Sequence, residues 1–207
     1  MDFKEAVKQI QILEGALSNE EFDNGGLTNF GITQKTYDTW RISQGLSSRS
    51  VADIFQSEIY QIYADWYWLP TGGGRLPDPL DFVVFQAGVN FGPQTAVKLL
   101  QTIVGSTVDG IMGSQTVARV DHYITVYGLQ TLVDAFLAAQ VDRYGQIVTK
   151  DITKYKFYQG WLNRVAEVKR LVGDSLLAAV GGAGSLVFLT LAGITAWKMA
   201  QSKGRTK

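Results

Sequence analysis

Apolar residues recur at helical spacing from the start of the chain. Phe3, Ala6, Val7, Ile10 and Leu13 predict an amphipathic helix over residues 2–14. Residues 15–33 break that rhythm with Gly, Asn and Asp, which predicts a loop or a small β-hairpin. Ser50-Val51-Ala52-Asp53 has the form of a capping box and predicts a helix from there to about Trp66. Thr71 to Pro77 reads as a loop. Asp78 and Pro79 then supply an N-cap and a first-turn proline for a helix through Phe91. Further helical patterns lie at 93–103, 114–121, 128–145 and 154–173, and no period of 20–50 residues repeats.

Two stretches depart from ordinary amphipathic patterning. The 79–91 helix is apolar nearly all round, with Leu80, Val83, Val84, Ala87 and Phe91 on one face and Phe82, Phe85 and Val89 on another. Such a helix belongs in the middle of a domain. Its Gln86 and Asn90 are one turn apart and share a sector, so they either satisfy neighbouring backbone or line a polar cleft. The second stretch is Ser175–Trp197, 23 residues without one charge. A bilayer-spanning helix takes about 20 apolar residues. A buried Gly/Ala-rich core helix or an amphipathic surface helix is the other reading; the Trp197 and Lys198 flank favours spanning. Gly181, Gly182, Gly184 and Ser185 would give that helix a flat strip suited to weak self-association. Arg164, Lys169 and Arg170 precede it and four cations follow, so the flanking charges leave its orientation balanced. Met1 to Ala6 mixes acids and bases, unlike a secretory signal.

Charge and composition narrow the chemistry. The 207 residues hold 19 Lys+Arg and 19 Asp+Glu, but Lys198, Lys203, Arg205 and Lys207 all fall in the last ten. Residues 1–197 therefore carry 15 bases against 19 acids, a net of −4. A mildly acidic domain without a basic stripe argues against nucleic acid as a partner. Absence of cysteine removes disulfides, thiol nucleophiles and thiolate metal sites. With His122 the lone histidine, a multi-His metal centre is excluded and carboxyl chemistry is left as the available route. The acids around Asp109-Gly110 are too few for calcium, and that dipeptide reads as a tight turn. No metal and no cofactor is expected.

The stretch that carries such chemistry is Glu14-Gly15 followed by Asp23-Asn24-Gly25-Gly26-Leu27-Thr28-Asn29-Phe30-Gly31-Ile32-Thr33. One carboxylic acid closes a helix, and a second sits nine residues on in a turn-rich loop. A hairpin folding back from residues 15–33 would set Asp23 and Thr28 across a gap from Glu14. Glycoside hydrolysis uses such a pair: one carboxylic acid protonates the leaving oxygen while a carboxylate acts on the opposite face of the sugar. Apolar surroundings such as Leu13 would raise the pKa of Glu14 and keep it protonated near neutrality. Tyr63, Trp66, Tyr67 and Trp68 form an aromatic cluster that either belongs to the core or stacks on sugar rings, with Tyr67 and Trp68 the better candidates for stacking.

The run from Ile12-Leu13-Glu14-Gly15 through Thr33 resembles the N-terminal signature of the glycoside hydrolase family 108 lysozymes, phage-type muramidases. Glu14, Asp23, Gly25, Gly26, Thr28, Gly31, Ile32 and Thr33 fall at matching positions, and Ala16 stands where the family usually has a second glycine. Phe85 to Pro93, Ala96 to Gln101, Val108 to Thr116 and Phe157 to Val165 resemble the peptidoglycan-binding half of the same family. The resemblance implies a mainly α, lysozyme-like α+β fold with a small β-hairpin, followed here by a transmembrane helix. It implies a catalytic part at 1–75 and a helical peptidoglycan-binding part at 76–173, to which hydropathy and charge add the span at 175–197 and a basic tail at 198–207. It further implies a muramidase that cuts the MurNAc-GlcNAc β-1,4 bond, with Glu14 as general acid, Asp23 orienting the attacking water and Thr28 helping to hold it. The likeness places Gln86 and Asn90 near the cleft, and with Tyr67 and Trp68 of the aromatic cluster they are the expected sugar contacts. The partners expected are peptidoglycan and, through 175–197, a lipid bilayer, which suits a phage endolysin anchored in the host inner membrane. A lytic transglycosylase on the same scaffold and a non-catalytic wall-binding or membrane-active protein are the competing readings.

Overall fold

A computed structural model describes residues 1–15 and 27–179, the side chains of residues 14, 15 and 174–179 excepted. The chain is mainly helical, with one two-stranded antiparallel sheet. Helix α1 runs Phe3–Gly15 and buries Ala6, Val7, Ile10 and Leu13, the stripe expected from its spacing. Strands β1 (Thr28–Asn29) and β2 (Ile32–Thr33) make a short hairpin, and α2 (Gln34–Ser43) follows at once. A single 3-10 turn at Val51–Asp53 leads to α3 (Gln56–Tyr63), which continues as a π-helical turn over Ala64–Trp68. Helices α4 (Leu80–Phe91), α5 (Pro93–Val104), α6 (Ser114–Tyr127), α7 (Leu129–Lys150) and α8 (Tyr155–Ala179) complete the described chain.

Helix α4 sits in the middle of the domain, as its all-round apolar pattern predicts. Leu80, Phe82, Val83, Val84, Phe85, Ala87 and Gln86 have no exposed surface. It packs against α5, α7 and the π-helical turn, while α7 also supports α6 and α8. Removing each large apolar side chain from water stabilises the fold by about 1.5–3 kcal/mol. The Gly72-Gly73-Gly74 loop is shaped by one ring. A Cβ on Gly73 would stand 2.1 Å from the indole of Trp68, so the backbone can cross that ring only as glycine.

Several expected boundaries differ. The helix expected from Ser50 to Trp66 is broken: Ser50 caps only the 3-10 turn, through Ala52 N at 3.2 Å, and Ile54 is extended. The helix restarts at Gln56 because Glu58, not Asp53, folds back to accept from a backbone N–H, that of Phe55 at 2.9 Å. Asp78 does not cap α4; its carboxylate pairs with the Met1 ammonium at 2.5 Å, and Pro79 occupies the cap position without a side-chain bond. Helix α2 was not foreseen at all. Thr33 caps it by accepting from Thr36 N at 3.2 Å, and its buried residues are Tyr37, Trp40 and Arg41. Helices α6, α7 and α8 run beyond the expected ends.

Among the described residues no single helix is long and apolar enough to cross a membrane. Ser175–Ala179 continue α8, and the rest of the expected span lies outside the described residues.

Candidate active site

The candidate site residues fall on the hairpin and at the end of α1. Glu14 lies in the last turn of α1, directly after Leu13, which is 5% exposed in the core. Asp23 lies outside the described residues. Thr28 is exposed on β1 and pairs across the ladder with Thr33, while Asn29 pairs with Ile32. The hairpin is anchored on one side by Ile32, only 2% exposed, and it turns through Phe30 and Gly31, both with positive φ (51° and 74°). Paired positive φ values are the mark of a type I′ turn, whose backbone twist suits a two-residue hairpin.

Two long-range bonds fix where the hairpin stands, and a third closes its base. The buried Tyr63 hydroxyl donates to the Phe30 carbonyl at 3.0 Å. The Asn29 amide donates to the Val51 carbonyl at 3.1 Å. The Gln34 backbone N–H donates to the Leu27 carbonyl at 2.9 Å. The Gln34 side chain extends the clamp: its oxygen accepts from Val51 N at 2.7 Å, and its amide donates to the Arg49 carbonyl at 2.9 Å and to Asp38 at 3.0 Å.

Beneath lies a buried ionic cluster. Glu58 accepts from the Tyr37 hydroxyl and from Arg41 Nη1, each at 2.7 Å, from Phe55 N at 2.9 Å, and from Arg49. Burial pushes the Glu58 carboxyl up, but the Phe55 N–H, the Tyr37 hydroxyl and the two guanidinium groups together outweigh it and hold the pKa below the usual carboxylate range. The cluster ties α2, the 49–55 segment and α3 into the platform under the hairpin. Neither Tyr37 nor Glu58 stands out in the sequence. The available signal was the coincidence of Tyr37, Arg41, Arg49 and Glu58 in a poorly hydrophobic region.

The expected sugar contacts separate by exposure. Tyr67 is half-buried, its ring centroid 5.9 Å from that of Tyr63, and burial raises its phenol pKa. Asn90 is exposed and donates to the Gln86 carbonyl at 3.1 Å. Trp68 is in the core, 7% exposed, with Phe85 edge-on at 5.2 Å and Phe3 at 5.6 Å. Gln86 is wholly buried. Its amide donates to Gln140 Oε1 at 2.7 Å and to the Val83 carbonyl at 3.0 Å, and its oxygen accepts from Gln140 at 3.3 Å. A sugar would reach Gln86 only after that pair opened.

In the second half, Gln101 organises the Asp109–Met112 loop. Its amide donates to Asp109 at 2.7 Å, to the Ile111 carbonyl at 3.0 Å and to Thr116 at 3.0 Å, and its oxygen accepts from Gly110 N at 2.8 Å. Asp109 accepts from Ile111 N at 2.8 Å, the local turn expected there. Those bonds, from Ile111 N first and then from Gln101, hold the Asp109 carboxyl below its ordinary pKa.

Comparisons with known proteins agree with this architecture. Residues 7–92 match the Glycosyl hydrolase 108 family and residues 95–166 match the Predicted Peptidoglycan domain. The solved structure of Brucella abortus SagA is similar, with a TM-score of 0.65 and 28% identity over 82% of this chain and 92% of the SagA chain. No curated protein matches. The chain is a lysozyme-like glycoside hydrolase that acts on peptidoglycan. Its first part is similar to the Glycosyl hydrolase 108 family and its second part to the Predicted Peptidoglycan domain.

Proposed function

We propose that the protein is an N-acetylmuramidase that cuts the MurNAc-GlcNAc β-1,4 bond of peptidoglycan. The observation that carries this reading is the run Glu14, Asp23, Thr28 inside the family-matched segment, with Thr28 exposed on a hairpin pinned to the core. Glu14 protonates the glycosidic oxygen, Asp23 orients and activates the attacking water, and Thr28 helps to hold that water. Such a division of labour gives inversion at the anomeric carbon. Tyr67 and Asn90, which have surface to offer, contact the glycan, while Trp68 and Gln86 act from beneath by fixing the elements that carry them. Residues 1–75 supply the catalytic part and residues 76–173 the wall-binding part of one unit.

The same proposal makes the protein a phage endolysin held in the host inner membrane by residues 175–197. Its support is the uncharged 23-residue run followed by a tail of four cations. Mass spectrometry of the muropeptides tests the reaction. Reducing MurNAc ends are expected, whereas 1,6-anhydro ends would assign a lytic transglycosylase.

A further inference from the structure

Phe30 occupies a position that its own backbone disfavours. It is the one non-glycine residue with positive φ among the described residues, at 51°. In that region the Cβ crowds the following carbonyl, so the first place of a two-residue turn ordinarily falls to Asn, Asp or Gly. A bulky residue there is an outlier whose strain has to be overdetermined by its surroundings. The surroundings do so. The Tyr63 hydroxyl holds the Phe30 carbonyl at 3.0 Å, and Asn29 beside it is tied to Val51 at 3.1 Å. The side chain is not what the strain serves to bury, since Phe30 is 47% exposed and no ring of the described residues stacks on it.

From this strained, pinned and outward-facing aromatic we infer that Phe30 is a sugar-stacking residue that seats a pyranose of the glycan strand beside Thr28. The inference rests on the muramidase reading above and adds a binding residue to that site. A pyranose presents a face of C–H groups with partial positive charge, which complements the negative face of an aromatic ring. Phe30 is two residues from Thr28, within roughly 7 Å along the chain, so a sugar on its ring lies next to the water-holding position. The Tyr63 bond fixes the ring's carrier before substrate arrives, which reduces the ordering that binding would otherwise require.

The test is the full-length protein with Phe30→Asn, which suits the turn, alongside Phe30→Trp. Phe30→Asn is expected to keep or raise Tm and to lower kcat/KM on insoluble peptidoglycan about tenfold, chiefly through KM, while Phe30→Trp retains activity. Binding to sacculi is measured in parallel on Glu14→Gln with and without Phe30→Asn, where about a tenfold loss of affinity is expected. Unchanged binding and activity in Phe30→Asn overturn the assignment. So does a loss that comes with a lower Tm, or one that Phe30→Trp shares. If the wild type binds sacculi through Phe30 yet cleaves nothing, the muramidase reading fails and the stacking role stands.

Discussion

The hydroxyl of Tyr63 donates a hydrogen bond to the carbonyl of Phe30, 33 residues earlier, at 3.0 Å. Through this bond the helical core, in which Tyr63 is 1% exposed, dictates where the tip of the hairpin stands. Tyr63→Phe removes the donor and leaves the ring's packing against Phe85 and Tyr67. A loss of about 1 kcal/mol is expected, since one neutral hydrogen bond is removed. For a chain of this size that lowers Tm by roughly 2–4 °C. Thermal denaturation checks the stability, and hydrogen exchange at Asn29–Thr33 should accelerate more than in α4.

The Glu58 cluster makes the platform pH-sensitive. Its carboxyl titrates lower in the folded protein than its ordinary value of 4.5. A depressed folded pKa contributes stability that is present above the unfolded value and lost as pH falls through the folded one. Wild-type Tm should therefore fall as pH drops below about 4.5, and Glu58→Gln should lack this component. At neutral pH the same substitution leaves Arg41 and Arg49 without their carboxylate, with an expected loss of about 3–5 kcal/mol. Denaturant unfolding at pH 7 and pH 4 measures both effects.

Gln86 and Gln140 form a reciprocal amide pair in the core. Gln86→Leu alone takes the donor from Gln140 Oε1, while Gln140 Nε2 keeps the Tyr144 hydroxyl at 3.3 Å, and is expected to destabilise by about 1–3 kcal/mol. The double substitution Gln86→Leu/Gln140→Leu removes both partners and should recover much of that loss. KM for peptidoglycan should not change beyond what the lost stability explains. A double-mutant cycle on unfolding free energies, with steady-state kinetics alongside, decides the point.

Residues 175–207 hold the proposed membrane anchor. Deleting them should move the protein from the membrane fraction to the soluble fraction without reducing cleavage of isolated sacculi. Cell fractionation and a sacculus assay on both forms make the comparison.

Much of the frame was legible because aliphatic periodicity reports burial directly. The stripe of α1 and the all-round apolar α4 were read at nearly their observed limits. Helix α2 was not, because it buries Tyr37, Trp40 and Arg41, residues whose polar atoms need partners that only the fold supplies. Glu58 shows the same limit: a carboxylate that restarts a helix and neutralises two arginines looks in sequence like a solvated charge. At the candidate site, the small hairpin followed from turn chemistry. Tyr63 and the strain at Phe30 depend on a contact between positions 33 apart, which no local pattern contains. Gln86 and Trp68 read as cleft residues because an amide and an indole suit both a sugar and a core, and depth alone separates the two.

The central claim is that Glu14 supplies the proton for glycosidic cleavage. Glu14→Gln keeps the size of the side chain and removes its acidity, so release of reducing sugar ends from purified peptidoglycan tests it directly. The expected result is a fall in kcat of at least about a hundredfold, as for loss of a general acid, with Tm and binding to sacculi unchanged. Undiminished release of reducing ends by folded Glu14→Gln would contradict it.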